Sequence, residues 1–314
     1  MTIGIIGAGQ IAREYIKVLQ ALKFTPFVIG RGLTRVNEVK EIFTGVEAVS
    51  GGLTEWLKVN SPPEYCIVAT PVEHLKDAVI SLLHAGSKYI LVEKPLAFTL
   101  AEVENINLLA RNNNARVHIA FNRRNYTSVA AAKKLIADDG GASSIHFDFT
   151  EAIFRIFPNN YDKITTKFWG VSNSAHVIDT AFYLCGFPVS INSNQYGNDV
   201  SWHIAGSIFT GHGITRNNVP FTYHANWGCP GKWNIEVNTA KRRLIFSPME
   251  ELRQQKHGSF KVERLDLDYS NDLNFKPGFF KQVKLWTEHE FSDLMSITEY
   301  KKELFVLYEI FGYS

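Results

Sequence analysis

The feature that most restricts how this chain can fold is a glycine motif within its first twelve residues. A short apolar segment, residues 1–6, runs directly into Gly7-Ala8-Gly9-Gln10-Ile11-Ala12, and apolar residues then recur at helical spacing. In a strand–turn–helix of this form, Gly7 permits the tight turn, Gly9 leaves room for a pyrophosphate, and Ala12 lets the helix pack against the strand. The free N–H groups at the start of the helix, around Gln10 and Ile11, would face an anion. The motif predicts a dinucleotide-binding site.

The end of the second predicted strand, residues 27–29, indicates which dinucleotide. A site that prefers NAD usually places Asp or Glu there, where it accepts a hydrogen bond from the ribose 2′-OH. This chain has Gly30-Arg31-Gly32 instead. A guanidinium can bind a 2′-phosphate through two hydrogen bonds. We therefore expect NADP(H), with NAD still possible because a loop arginine can also be a solvated cation.

Composition limits the class of protein. The 314 residues are 45% hydrophobic and 20% charged, with a net charge of +2, as is typical of a globular protein of two domains. The balanced charge favours neither nucleic acid nor an anionic membrane as a partner. No apolar run approaches membrane-spanning length and no signal peptide is evident. The cysteines, Cys66, Cys185 and Cys229, lack metal-ligand spacing and are expected to be small buried side chains. We expect a cytoplasmic protein with no bound metal.

Two patterns of secondary structure follow one another along the chain. Up to about residue 121, continuous apolar strands alternate with helices, which predicts a doubly wound parallel sheet covered on both faces. After that, helices are expected over 128–137 and 174–184, and again near the C-terminus, with strands at 145–153, 189–196, 202–210, 219–227, 233–239 and 242–246. We predict an α/β protein with a Rossmann domain over 1–121. An α+β domain with a large, mostly antiparallel open sheet would occupy 122–314.

With these motifs placed, the chain resembles the Gfo/Idh/MocA family of oxidoreductases over nearly its whole length. The resemblance rests on the glycine motif, on Ala69-Thr70-Pro71-Val72-Glu73-His74, on Val92-Glu93-Lys94-Pro95-Leu96, and on His176-Val177-Ile178-Asp179 after Trp169-Gly170. It implies NAD(P) chemistry on a sugar, nucleotide sugar or cyclitol. It also implies a homodimer or homotetramer formed through the open sheet face. The expected cofactor-binding residues are Gly7, Gly9, Gln10, Ile11, Arg31, Thr70, Pro71, His74, Glu93 and Lys94.

Two residues are candidates for catalysis. The resemblance assigns Lys94 to the catalytic site, often with a cis peptide bond before the proline, and Glu93 is expected to orient this loop. Hydride exchange with a secondary alcohol also needs a group that takes or gives the hydroxyl proton near neutral pH, and His176 suits this role. Arg123 follows the last Rossmann strand, where it could bind a carboxylate or phosphate of the substrate or form an inter-domain salt bridge.

One position departs from the family pattern Asp-x-x-x-His-x-x-Asp. His176 and Asp179 match, but Ser172, followed by Asn173, stands where the first carboxylate belongs. A serine cannot stabilise imidazolium as a charge, and losing such a carboxylate can slow a histidine-based reaction by several orders of magnitude. Lys94 and His176 could act alone, or Tyr161 or Tyr183 could supply the acid. Otherwise the site is degenerate.

We expect Ser172, Asn173, His176 and Arg123 to contact the substrate of an NAD(P)-dependent oxidoreductase. The alternative is a catalytically degenerate protein of the same fold that senses a cofactor or sugar.

Overall fold

The computed structural model describes residues 2–313, so Met1, placed at the start of the first strand by the sequence pattern, lies outside the described residues, as does Ser314. The chain forms two compact units, residues 1–122 with 271–302 and residues 123–270 with 303–314. The predicted division into 1–121 and 122–314 therefore differs from the structure in residues 271–302, which return to the first unit. The reason is that Phe279, Val283 and Trp286 bury themselves in the core of that unit. The sequence pattern identified this helix but not the sheet that it covers.

The first unit alternates strands and helices. Its elements before residue 122 are β1 (Ile3–Ile6), α1 (Gln10–Ala21), β2 (Phe27–Ile29), α2 (Leu33–Ile42), β3 (Glu47–Val49), α3 (Gly52–Leu57), β4 (Tyr65–Val68), α4 (Leu75–Ala85), β5 (Tyr89–Val92), α5 (Leu100–Asn112) and β6 (Arg116–Ile119).

The second unit is built on longer strands. Its elements, and those that follow to the end of the chain, are α6 (Thr127–Asp138), β7 (Ala142–Phe149), α7 (Lys163–Lys167), α8 (Ala175–Cys185), β8 (Pro188–Tyr196), β9 (Ile208–Thr215), β10 (Pro220–Asn226), β11 (Trp233–Thr239), β12 (Arg242–Phe246), β13 (Arg253–Lys256), β14 (Val262–Arg264), α9 (Ser270–Asn274), α10 (Phe279–Thr287), β15 (Met295–Ser296) and α11 (Ile297–Phe311). A π-helical turn, Gly170–Ser174, leads directly into α8.

The sheet of the first unit has the strand order β15-β6-β5-β4-β1-β2-β3. Strands β1 to β6 are parallel, and the short β15 pairs antiparallel with β6. Strands β1 and β4 are buried along their whole length, as expected for apolar strands covered on both faces. This confirms the predicted Rossmann fold. The strand order reverses between β1 and β4, and ligands of open parallel sheets bind at that crevice.

The sheet of the second unit has the order β14-β13-β12-β11-β7-β10-β9-β8. Only β7 and β10 are parallel neighbours, so the sheet is mostly antiparallel, as predicted. Helix α8 packs on β7 and β11. Ile145, Phe147 and Phe149 alternate into this core, whereas His146 and Asp148 lie on the opposite, partly exposed face.

Three expectations about local structure were wrong. The strand predicted at 145–153 is β7, which ends at Phe149, and a short helical turn begins at Ile153. The strand predicted at 202–210 is β9, which begins only at Ile208, because the backbone turns at Gly206 with φ +102° before it can pair with β8. Cys66 and Cys185 are buried, but Cys229 is exposed. Among residues 2–313, no helix combines the length and the apolar character needed to cross a membrane.

Candidate functional site

The glycine motif forms a backbone cradle at the carboxyl end of β1. Gly7 has φ +119°, and a Cβ atom placed there would lie 2.4 Å from the carbonyl oxygen of Ala69, so no side chain fits. Gly9 is the extended residue that precedes α1, and no side chain caps this helix or places a carboxylate in its first turn. Gln10 and Ile11 begin the helix. The uncapped N–H groups and the helix dipole therefore remain available to an anion.

The end of β2 supplies positive charge beside this cradle. Arg31 is exposed, and its guanidinium lies 3.1 Å from Nε2 of His74, at the end of the short turn Val72–His74. Because a guanidinium only donates hydrogen bonds, Nε2 of His74 is the acceptor in this contact. Arg35 lies 3.8 Å from the Cβ position of Gly9. Both guanidinium groups therefore lie on the side of the sheet that carries the glycine cradle.

The hydroxyl of Thr70 bears on whether the cradle suits a dinucleotide. Its hydroxyl oxygen is buried and has no hydrogen-bond partner among residues 2–313. Thr70 and Pro71 follow β4, next to Gly7, at the point where the strand order reverses. Buried polar atoms without partners are uncommon, and this one lies where a ligand of this fold is expected. The residues present therefore fit a dinucleotide.

Lys94 follows β5 at the same edge of the sheet, and the Lys94–Pro95 peptide bond is cis, as the family resemblance implies. Glu93 points into the unit, where its carboxylate accepts a hydrogen bond of 2.6 Å from the phenol of Tyr15 on α1. Burial raises the pKa of Glu93, against the opposing effects of the Tyr15 hydrogen bond, the charges of Lys276 and Lys94, and the backbone N–H of Lys94. Glu93 thus connects the strand end that carries Lys94 to helix α1.

The second unit places His176 in the first turn of α8, where it is buried. Its ring lies 6.4 Å from that of Trp233, and the guanidinium of Arg123 lies over the same indole ring, 4.7 Å from the ring centroid. Nε of Arg123 is buried without a hydrogen-bond partner among the described residues. The structure therefore clusters a histidine, an indole ring and a cation within this unit.

Asp179, the second acidic position of the family pattern, has an arginine partner. Its carboxylate is buried and accepts bidentate hydrogen bonds from Arg124, the shortest of 2.7 Å. Ser172 donates to the carbonyl oxygens of Thr165 and Phe168, both at 3.1 Å. Tyr183 accepts a hydrogen bond from Lys133, and Tyr161 is exposed. These contacts identify partners of Ser172, Asp179 and Tyr183, and the suggestion that a tyrosine supplies the acid stays a prediction.

The sequence analysis missed the side chains that surround the π-helical turn. Glu151, two residues beyond β7, accepts hydrogen bonds from Asn173 and Ser174. Tyr313 accepts one from the backbone of Gly170 and contacts His203 at 2.7 Å. Gly170 is required because a Cβ atom there would lie 2.3 Å from the ring of Phe311. No local motif marks these residues, since each reaches the turn from a distant part of the chain.

The chain thus combines a Rossmann unit that has an open glycine cradle with a second unit built on a large, mostly antiparallel sheet. Residues 1–121 match the Gfo/Idh/MocA family model, described as an oxidoreductase family with an NAD-binding Rossmann fold. This match covers 121 of the 314 residues and agrees with the resemblance to the family seen in that part of the sequence.

Two curated relatives come from Bacillus subtilis (strain 168). The chain is 30% identical over 190 residues to its glucose-6-phosphate 3-dehydrogenase, covering 58% of this chain and 53% of that protein. It is 25% identical over 173 residues to its scyllo-inositol 2-dehydrogenase (NADP(+)), covering 51% and 45%. The chain thus spans about half the length of these relatives. A solved oxidoreductase from Agrobacterium radiobacter, in complex with NAD+, L-tartaric acid and magnesium, shares the fold with a TM-score of 0.79. It is 15% identical and covers 100% of this chain and 96% of that one.

Proposed function

We propose that this protein is an NADP(H)-preferring dehydrogenase acting on a secondary alcohol or ketone of a sugar, nucleotide sugar or cyclitol. The observation that carries the proposal is the open cradle of Gly7 and Gly9 beside Arg31, at a strand end that holds no carboxylate. The relatives named above as sugar-phosphate and inositol dehydrogenases support the substrate class. The inositol enzyme's NADP(+) agrees with the cofactor preference inferred from Arg31.

The residues of the first unit would hold the cofactor. The N–H groups at the start of α1 would bind the pyrophosphate, and Arg31 would bind a 2′-phosphate through its guanidinium. Thr70 and Pro71 lie where the family places the nicotinamide, and the unpaired hydroxyl of Thr70 would find a partner there. His74 would steady Arg31 through the contact of 3.1 Å.

The bound nicotinamide would supply or accept a hydride. The protein's task is to bind the substrate oxygen and move its proton. Lys94 would bind that oxygen as a cation, with its strand end held by Glu93. His176 would take the hydroxyl proton in oxidation and return it in reduction, because its ordinary pKa range lies near neutrality.

Fluorescence titration with NADPH and NADH tests the cofactor assignment. Arg31→Ala should weaken NADPH binding by about tenfold or more, the value of one charge-assisted interaction, and change NADH binding by less than about twofold. Lys40→Ala, which removes another exposed cation of the same unit, serves as the control and should change neither affinity. Equal affinity of the unmodified protein for both cofactors would contradict the NADP preference.

A turnover screen over sugars, nucleotide sugars and cyclitols tests the activity. In Lys94→Ala, turnover should fall by about a thousandfold while NADPH affinity stays within about threefold, because only the proton and oxygen contacts are lost. Unchanged turnover in this variant would contradict the assignment of Lys94. Tight cofactor binding without turnover on any substrate would favour the sensing protein instead.

We also propose that the protein forms a homodimer or homotetramer through the face of the eight-stranded sheet that is turned away from α8. That face carries half-exposed polar side chains on adjacent strands, including His146, Asp148 and His224. Light scattering at several concentrations measures the oligomer, and a monomer throughout would contradict the proposal.

A further inference from the structure

A carboxylate lies beside the turn that leads into His176, although none is present at position 172. Glu151 follows Phe149 and Thr150 at the end of β7 and is 5% exposed. One of its oxygens accepts a hydrogen bond of 2.6 Å from the Ser174 hydroxyl, and the other accepts one of 2.9 Å from the Asn173 amide. These donors stand two and three residues before His176.

The hydrogen bonds suit the ionised form of Glu151. Both oxygens act as acceptors, and an ionised carboxylate has only acceptor sites. Hydrogen bonds to a charged acceptor are shorter and stronger than neutral ones, in keeping with the 2.6 Å contact. The strand end is itself held, because Thr150 accepts from the backbone N–H of Asn226 at 3.0 Å and its own N–H donates to Asp148 at 2.7 Å. The carboxylate therefore has a defined position.

Two observations place this carboxylate near the start of α8. Its hydrogen-bond donors Asn173 and Ser174 end the π-helical turn, which runs directly into the helix turn that contains His176. Trp233, whose ring lies 6.4 Å from that of His176, is paired directly with Phe149 in the sheet. The end of β7 that carries Glu151 and the tryptophan beside His176 thus lie at the same end of the sheet.

Two other charged groups lie near the start of this helix. The carboxylate of Asp179 accepts a hydrogen bond of 2.7 Å from Arg124. Arg123 contributes a positive charge on Trp233, which disfavours a second positive charge on His176. A negative charge on this side would favour the protonated form of His176.

We propose that Glu151 is the positioning carboxylate of His176 and takes the place of the acid that the chain lacks at position 172. It fixes the turn containing Asn173 and Ser174, and its charge stabilises the imidazolium form when His176 accepts the proton of a substrate hydroxyl. The proton moves from the hydroxyl oxygen to the imidazole and on to solvent, while Glu151 stays ionised. This inference rests on the proposed function for its catalytic meaning.

An NMR titration of the histidine ring signals in the cofactor-free protein tests the coupling without requiring any activity. The His176 signal is assigned by its loss in His176→Asn. Glu151→Gln removes the charge and keeps the shape, so the pKa of His176 should fall by about one unit. Glu236→Gln, which removes a half-buried carboxylate from the other face of the same sheet, is the matched control and should leave the titration unchanged.

Glu151→Asp keeps the charge on a shorter side chain, so the pKa of His176 in this variant should lie closer to that of the unmodified protein than to that of Glu151→Gln. If Glu151→Gln unfolds, Ser174→Ala replaces it, since that variant releases the carboxylate from one anchor and should lower the same pKa by less. A His176 titration within about 0.2 units of the unmodified protein in folded Glu151→Gln would overturn the inference.

Kinetics separate the two proposals. In Glu151→Gln, kcat should fall by about 10- to 100-fold with the cofactor KM unchanged, and the acidic limb of the pH profile should move to lower pH. A shifted His176 titration in a protein that turns over no substrate would refute the proposed function and support the coupling. Normal turnover with an unshifted titration would refute the role of Glu151 and leave the proposed function standing.

Discussion

The glycine cradle of the first unit and the surroundings of His176 in the second are built in different ways. At the glycine cradle, the groups are backbone atoms of one short segment, namely the turn at Gly7 and the open helix start after Gly9. Around His176, the groups are side chains that come from separate strands and helices. A site made of local backbone leaves a motif in the sequence, and one made of distant side chains does not.

The clearest case of long-range construction is the hydrogen-bonded chain that anchors the π-helical turn. Nδ1 of His203 lies 2.8 Å from the carbonyl oxygen of Gly206, which can only accept, so this nitrogen carries the proton. Nε2 must then accept the Tyr313 hydroxyl at 2.7 Å, which leaves the phenol oxygen to accept the N–H of Gly170 at 3.0 Å. Every hydrogen is accounted for, so the turn before His176 is held by the C-terminal segment.

The largest expected effect comes from breaking the buried ion pair of the second unit. Asp179→Asn keeps the packing but leaves Arg124 as a buried charge without its counterion. Both side chains are at most 2% exposed, so the loss should be about 3–5 kcal/mol of unfolding free energy. Urea unfolding measures the loss. Hydrogen exchange by mass spectrometry should place the added flexibility in peptides of residues 123–270.

The matched control removes an ion pair of the first unit that lies in water. Glu55 and Lys58 are both 62% exposed, so Glu55→Gln should change stability by less than about 1 kcal/mol. Equal losses in the two variants would contradict the view that the second unit depends on long-range buried charges in a way that the first does not.

The extent of what the sequence predicted follows from this difference. The glycine cradle, the strand ends at Thr70 and Lys94, and both sheet types were predicted, because hydrophobic periodicity and glycine placement are local properties. Residues 271–302 were assigned to the wrong unit, since an amphipathic helix does not specify the sheet that buries it. Glu151 was missed because a carboxylate after a strand is ordinary in sequence. Only the fold brings it to Asn173 and Ser174.

Acid should lower the unfolding free energy through one buried histidine in each unit. Burial lowers the pKa of His118 on β6 and of His203 from 6.5 to about 4. Because the unfolded chain binds these protons first, the stability contributed above pH 6.5 is lost as the pH falls toward 4. The loss is about 2 kcal/mol for each residue between pH 7 and pH 5. Urea unfolding as a function of pH measures it.

Variants identify the source of this acid sensitivity. His118→Phe retains the ring stacked on Phe291 at 4.5 Å and removes the titration, so its stability relative to the unmodified protein should rise by about 2 kcal/mol from pH 7 to pH 5. His212→Gln, at an exposed position on β9, is the control and should not change the pH slope. Parallel pH curves for His118→Phe and the unmodified protein would show that this histidine does not contribute.

The smallest change in stability should accompany a specific loss of ligand binding at the cradle. Gly9 has φ −81°, which alanine adopts readily, and a Cβ atom there would meet only Arg35 at 3.8 Å. Gly9→Ala should therefore have an unfolding free energy within about 0.5 kcal/mol of that of the unmodified protein. It should bind NADPH about tenfold more weakly, because the methyl group occupies the space expected for the pyrophosphate.

Gly7 provides the contrasting variant. The positive φ and the 2.4 Å approach to Ala69 mean that alanine at this position should also destabilise the fold, by about 1–3 kcal/mol. Thermal melts with and without NADPH separate the two effects. Normal NADPH binding by Gly9→Ala would show that the open space at Gly9 does not serve the cofactor. The functional part of the comparison between the two regions would then be wrong.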